Sequence, residues 1–71
     1  MVKPMINVWL ARDSDGTLWL HGAKPKSDVK GIFYSHSYMQ SLLPHKLDKF
    51  FDDVTYENSP KEYTITITPK N

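Results

Sequence analysis

The sequence predicts a small α+β fold: an antiparallel β-sheet of four or five strands with one short helix near residues 44–51. Three observations predict it. Two segments of alternating polarity, Met5 to Arg12 and Thr17 to Gly22, flank the turn Asp13-Ser14-Asp15-Gly16. A third alternating run, Glu62 to Thr68, stands near the C-terminus. Behind Pro44, apolar residues fall at helical spacing instead. A period of two marks a strand with one buried face, and a period near 3.6 marks a helix with one apolar stripe. At 71 residues the chain reads as a single domain: an N-terminal hairpin (5–22), a variable middle (23–52) and C-terminal strands (54–68).

In the hairpin, Ile6, Val8 and Leu10 point one way and Asn7, Trp9 and Ala11 the other. Gly16 supplies the left-handed conformation that closes a type I turn with a three-residue loop. That loop length sets Leu10 opposite Leu20 and Trp9 opposite His21. The register gives an aliphatic face (Ile6, Val8, Leu10, Leu18, Leu20) and an aromatic face (Trp9, Ala11, Trp19, His21). A slip of one residue would mix the two.

Ala23 to Lys30 is polar and basic and reads as a connecting loop, with Lys24, Lys26 and Lys30 around Asp28. Gly31 to Ser35 offers a short strand. Ser35 to Leu43 supports two readings: a helix on the spacing of Tyr38, Met39, Leu42 and Leu43, or an irregular continuation of the strand. Pro44 suits the first helical position, where its missing N–H costs nothing. Leu43, Leu47, Phe50 and Phe51 then share one face. Asp52 and Asp53 follow, where the helix dipole disfavours negative charge, and the helix stops. Val54 to Glu57 reads as a strand and Asn58-Ser59-Pro60 as a turn. Lys61 to Thr68 reads as the last strand, with Tyr63, Ile65 and Ile67 inward and Thr64, Thr66 and Thr68 outward. The five prolines, Pro4, Pro25, Pro44, Pro60 and Pro69, all stand where the pattern changes.

Composition removes several functions. Without cysteine there is no disulfide and no thiolate metal site. Nine basic residues against eight acidic ones leave a net charge of +1, too little for a strong electrostatic nucleic-acid binder. The longest apolar run, Val8 to Ala11, is far short of the roughly 20 residues that span a bilayer. The N-terminus has no apolar core of a secretory signal, so the expectation is a cytoplasmic chain with no membrane partner. Burial in so small a domain gains on the order of 110 kcal/mol, against an ordering cost of roughly 105 kcal/mol. The expectation is a marginal fold that self-association would help stabilise.

The residues that could carry chemistry are better explained as scaffold. An EF-hand calcium loop starting at Asp13 would need glycine at position 18 and glutamate at position 24, where Leu18 and Lys24 stand. His21, His36 and His45 share no metal-ligand spacing. No nucleophile elbow of the form Gly-x-Ser-x-Gly is present, and Gly16, Gly22 and Gly31 lie too far apart for a phosphate loop. The chain therefore reads as no enzyme, with no cofactor and no metal.

The aromatic face is the suggestive feature. Trp9 and Trp19 lie near each other across the strands, with His21 beside them and Lys24, Lys26 and Lys30 just beyond. Tryptophan is enriched as the anchor of protein interfaces, and aromatics flanked by cations also stack bases. The competing reading makes both tryptophans core, covered by residues 35–51, because a small domain needs its aromatics for stability.

Two blocks also carry a resemblance. Ala11-Arg12-Asp13-Ser14-Asp15-Gly16-Thr17-Leu18-Trp19-Leu20 with Lys24-Pro25, and Val54-Thr55-Tyr56-Glu57-Asn58-Ser59-Pro60-Lys61-Glu62, resemble segments of small uncharacterised proteins of gut bacteria and their phages. The blocks cover under half the chain, and the middle departs freely. The resemblance implies a small stand-alone domain of mobile-element origin. It implies no activity, cofactor or catalytic residue.

Taken together, the sequence points to a non-catalytic protein-interaction or structural module. Its expected contact surface comprises Trp9, Trp19 and His21, with Lys24 and Lys26 at the rim. The expected partner is an unidentified protein or a second copy of the chain. The alternative is a weak single-stranded nucleic-acid-binding regulator using Trp9, Trp19, Lys24, Lys26 and Lys30.

Overall fold

Strand β1, Met5–Arg12, is the spine of the molecule, paired on both sides. The computed structural model describes residues 4–37 and 39–70. β2, Leu18–His21, runs antiparallel to β1 with Leu10 opposite Leu20 and Trp9 opposite His21, the register that the three-residue loop predicts. Gly16 has φ +94°, the left-handed geometry of that turn, and its N–H donates to the Asp13 carbonyl at 2.9 Å.

Two minor strands follow, β3 (Lys26–Ser27) and β4 (Phe33–Tyr34), which form a sheet of their own. β5, Gln40–Leu42, pairs with β2. Helix α1, His45–Asp48, runs on into a 3-10 turn, Lys49–Phe51. β6, Lys61–Thr66, returns to the free side of β1. The main sheet has the order β5-β2-β1-β6, with every neighbouring pair antiparallel. The fold is α+β, as predicted, with four strands in the main sheet and two in the small one.

Three local expectations are corrected, and one open alternative is decided. The basic loop 23–30 contains strand β3, because Asp28 turns the chain back on itself. Its Oδ1 accepts the N–H groups of Lys30 at 2.8 Å and Ile32 at 3.0 Å. The segment before Pro44, for which helix and strand both stood open, holds strand β5; Tyr38, which contributes to the helical spacing, lies outside the described residues. Pro44 caps α1 from the preceding position, with extended backbone, rather than opening the helix itself. Residues 54–57 form no strand. Thr55 N–H donates to Asn58 Oδ1 at 2.8 Å, and Asn58 Nδ2 to the Asp53 carbonyl at 2.8 Å. These local side-chain bonds take the place of a ladder, as short polar side chains commonly do.

The core lies on the aliphatic face. Leu10, Leu18 and Val54 are buried at its centre, packed by Leu20, Leu43, Phe51 and Tyr63. The Phe51 and Tyr63 rings meet edge to face, 5.8 Å between centroids. The apolar stripe expected along the helix is only half used. Leu43 and Phe51 point into the core, but Leu47 is 45% exposed and Phe50 70%. The tighter winding of the 3-10 turn, with fewer residues per turn, swings Phe50 off the α-helical face.

On the opposite face, Ala11 and His21 are buried, and Phe33 is buried nearby. The loop that covers them is tied to the hairpin turn. Phe33 N–H donates to Asp13 Oδ1 at 2.9 Å, and Ser14 N–H to the Gly31 carbonyl at 2.8 Å. The molecule is flat, 44 × 26 × 18 Å, with a radius of gyration of 12.9 Å. A compact chain of this length would have about 11 Å.

Candidate functional site

The five residues expected to form a contact surface separate in the structure. Trp9 and Trp19 sit diagonally on the aromatic face of the sheet, each half-buried. Trp9 stands between His21 and Glu62 across the strands, and Trp19 between Ala11 and Leu42. Lys24 and Lys26 are exposed, Lys24 in the connection between β2 and β3 and Lys26 in β3 of the second sheet.

His21 corrects the expectation. It is wholly buried and touches no solvent, so it contributes nothing to an outer contact surface. The chain after β4 passes over it. Gly22 permits that approach: a Cβ there would fall 2.5 Å from Ser37 Oγ and 2.9 Å from Met39 Cβ. The imidazole Nδ1 lies 2.9 Å from Ser35 Oγ, and Nε2 is buried with no partner among the described residues. A neutral ring that donates from Nδ1 leaves only a lone pair bare at Nε2. Desolvation holds the His21 pKa below its usual 6.5, with the Asp13 charge acting weakly the other way. The residue is an interior histidine of the hairpin.

A surface that the sequence reading missed lies on the aliphatic side. Between the sheet and α1 runs an open groove of about 530 Å³. Its floor is Val8, Leu10 and Leu20; its walls are Leu43 and Leu47 on one side and Tyr63 on the other. Hardly any polar group reaches it. The helical segment is seven residues long in all, and beyond it Leu20 and Ile65 on the same face are only half-buried. The signal was present in the sequence: the aliphatic face spans three strands, whereas Pro44 to Phe51 supplies about 12 Å of helix at 1.5 Å per residue.

One polar device holds the groove's wall in place. Arg12 extends from the end of β1 across to the helix. Its Nε donates to the Val54 carbonyl at 2.6 Å, and its terminal nitrogens to the carbonyls of Gly16 at 2.9 Å and Phe51 at 3.1 Å. The guanidinium also meets Asp48 Oδ1 at 2.9 Å. Five N–H donors in a planar fork suit this convergence of carbonyls.

Among the described residues, no three His, Asp or Glu side chains converge as a metal site. No helix there is long and apolar enough to cross a membrane. Comparison with family models, curated proteins and solved structures finds no match for the chain.

Proposed function

We propose that this chain is a non-catalytic protein-interaction module whose contact surface is the apolar groove between the sheet and α1. The observation that carries the reading is the groove's lining: aliphatic and aromatic side chains with almost no polar group to position a reacting atom. Binding sites that fix a small substrate place a few polar groups among apolar walls. A groove without them suits an apolar side-chain row from another polypeptide, in the manner of an amphipathic segment laid into a hydrophobic trough. The origin in a mobile element and the cytoplasmic location belong to this proposal, on the resemblance and the composition described above.

The test is selection of peptides from a displayed library on the folded domain, followed by binding to variants. Leu47→Glu places a charge on the groove wall at a residue already half in solvent. It should weaken the selected apolar peptides at least tenfold, and Lys24→Glu together with Lys26→Glu should leave them unchanged. Peptides that respond to the lysine pair and not to Leu47→Glu would move the contact surface to the other side of the sheet.

The nucleic-acid alternative has less support. Base stacking needs open ring faces, whereas Trp9 and Trp19 are each half-buried and His21 is inaccessible.

A further inference from the structure

The outer edge of β6 is the second unfilled feature, and it points to a specific partner. β6 is a terminal strand of the main sheet, with β1 on one side and, among the described residues, no strand on the other. The Ile67 N–H donates to the Pro4 carbonyl at 3.0 Å. In an antiparallel ladder, residues bonded to the neighbour alternate with residues whose N–H and C=O point away. Ile67 therefore sets the phase. Lys61, Tyr63 and Ile65 bond toward β1, whereas Glu62, Thr64 and Thr66 direct their backbone groups outward. Among the described residues these outward groups have no hydrogen-bond partner.

Natural edge strands are usually blunted by lysine, proline, a bulge or short length. The opposite edge, β5, has three residues. β6 has six, and from Tyr63 to Thr68 the chain carries neither charge nor proline. The edge is also self-complementary. Antiparallel pairing of two identical strands about a two-fold axis through Thr64 matches outward residues with outward residues. Thr64 meets Thr64 of the second copy, and Glu62 meets Thr66 on either side. On the groove side, Tyr63 then stands opposite Ile65, an aromatic and β-branched pair of the kind that stabilises sheets.

We propose that a second copy of this chain pairs antiparallel with β6, centred on Thr64, to give one continuous eight-stranded sheet. The two-fold axis runs perpendicular to the sheet, so both grooves lie on the same side. The interface is isologous and closes at two copies. It does not depend on what occupies the groove.

The mass of the intact chain in solution tests this. At about 0.5 mM chain, within reach of a sub-millimolar dissociation constant, light scattering or sedimentation should give a mass that rises from the monomer's 8.2 kDa toward twice that value as concentration increases. Thr64→Pro removes an outward donor and leaves the ladder to β1 intact, as proline on an edge strand does. It should weaken association at least tenfold with an unchanged far-ultraviolet spectrum. Thr64→Lys sets two like charges against each other at the axis, keeps the backbone, and should do the same. Because the chain has no cysteine, Thr64→Cys supplies a single thiol. Directly opposed, bonded residues sit about 5.5 Å apart at Cα, inside the disulfide range. Oxidation should cross-link that variant, and Leu42→Cys on the far edge should remain uncross-linked. Monomer mass for the wild type at this concentration would overturn the proposal. So would a dimer that both Thr64→Pro and Thr64→Lys leave intact, or one that cross-links through Leu42→Cys instead.

Discussion

Arg12 and Asp48 meet at 2.9 Å across the gap between the sheet and the helix, and the guanidinium is the more deeply placed of the two. The pair matters mainly for what else Arg12 holds. The same side chain ties the carbonyls of Phe51, Val54 and Gly16, so the helix end, the buried valine and the hairpin turn share one clamp. Arg12→Met removes the clamp and leaves those carbonyls without their donors. It should cost about 2–4 kcal/mol of unfolding free energy, read by urea denaturation. Arg12→Lys should restore little, because an ammonium cannot reach three carbonyls in a plane. Asp48→Asn should cost less than about 1 kcal/mol, as expected of a partly exposed pair. A larger loss for Asp48→Asn than for Arg12→Met would reverse this assignment.

Glycine at 31 is constrained more tightly than glycine at 16. Both have positive φ, +82° and +94°. At Gly16 a Cβ would enter open space, whereas at Gly31 it would lie 2.5 Å from Ser14 Oγ and 2.6 Å from Ser14 Cβ. Gly16→Ala should therefore cost about 1–2 kcal/mol, the usual left-handed penalty. Gly31→Ala should cost more, because it also pushes Ser14 away from its bonds to residues 30 and 31. Paired thermal melts of the two variants check the order.

The buried histidine makes stability depend on pH in a stated direction. Desolvation holds the folded-state pKa of His21 below 6.5. Between that lowered value and 6.5, the unfolded chain binds a proton that the folded chain does not. Stability is then full above pH 6.5 and falls as pH drops through this window. A denaturation series from pH 7.5 downward should show the loss, and His21→Gln should flatten it. In the folded protein, the His21 imidazole should titrate below 6.5 by NMR. A His21 signal titrating above 6.5 would contradict the desolvated placement.

Much of the fold was legible because its determinants are local. The turn Asp13-Ser14-Asp15-Gly16 dictates loop length, loop length dictates register, and register sorts Leu10 and Leu20 from Trp9 and His21. The alternation of Tyr63 and Ile65 with Thr64 likewise places β6 without outside help. What stayed hidden depends on partners distant in sequence. Arg12 reads as a strand-end charge until Phe51 and Val54 are brought to it, some 40 residues away. Asp13 reads as a turn former, yet its carboxylate also accepts the Phe33 N–H and anchors the loop that buries His21. Val54 reads as the start of a strand, yet it plugs the core while Thr55 and Asn58 close a turn around each other. For the site, the sequence pointed to the aromatic face. The open groove lies behind the other face, because the helical segment proved too short to cover it.

Truncating the core should separate structure from contact. Leu10→Ala removes a side chain from the buried centre and should cost about 2–5 kcal/mol, enough to unfold a domain of this size at room temperature. Leu47→Ala, on the exposed wall, should cost under about 1 kcal/mol. Circular dichroism melts distinguish the two. Equal losses would show that Leu47 is as much a part of the core as Leu10.

Methyl and indole NMR signals, followed while a library-selected apolar peptide is titrated into the folded domain, test the proposed function most directly. The methyl groups of Leu20, Leu47 and Ile65 should shift, and the indole N–H signals of Trp9 and Trp19 should hold still. Indole shifts with unmoved groove methyls would contradict it, and would return the contact surface to the aromatic face.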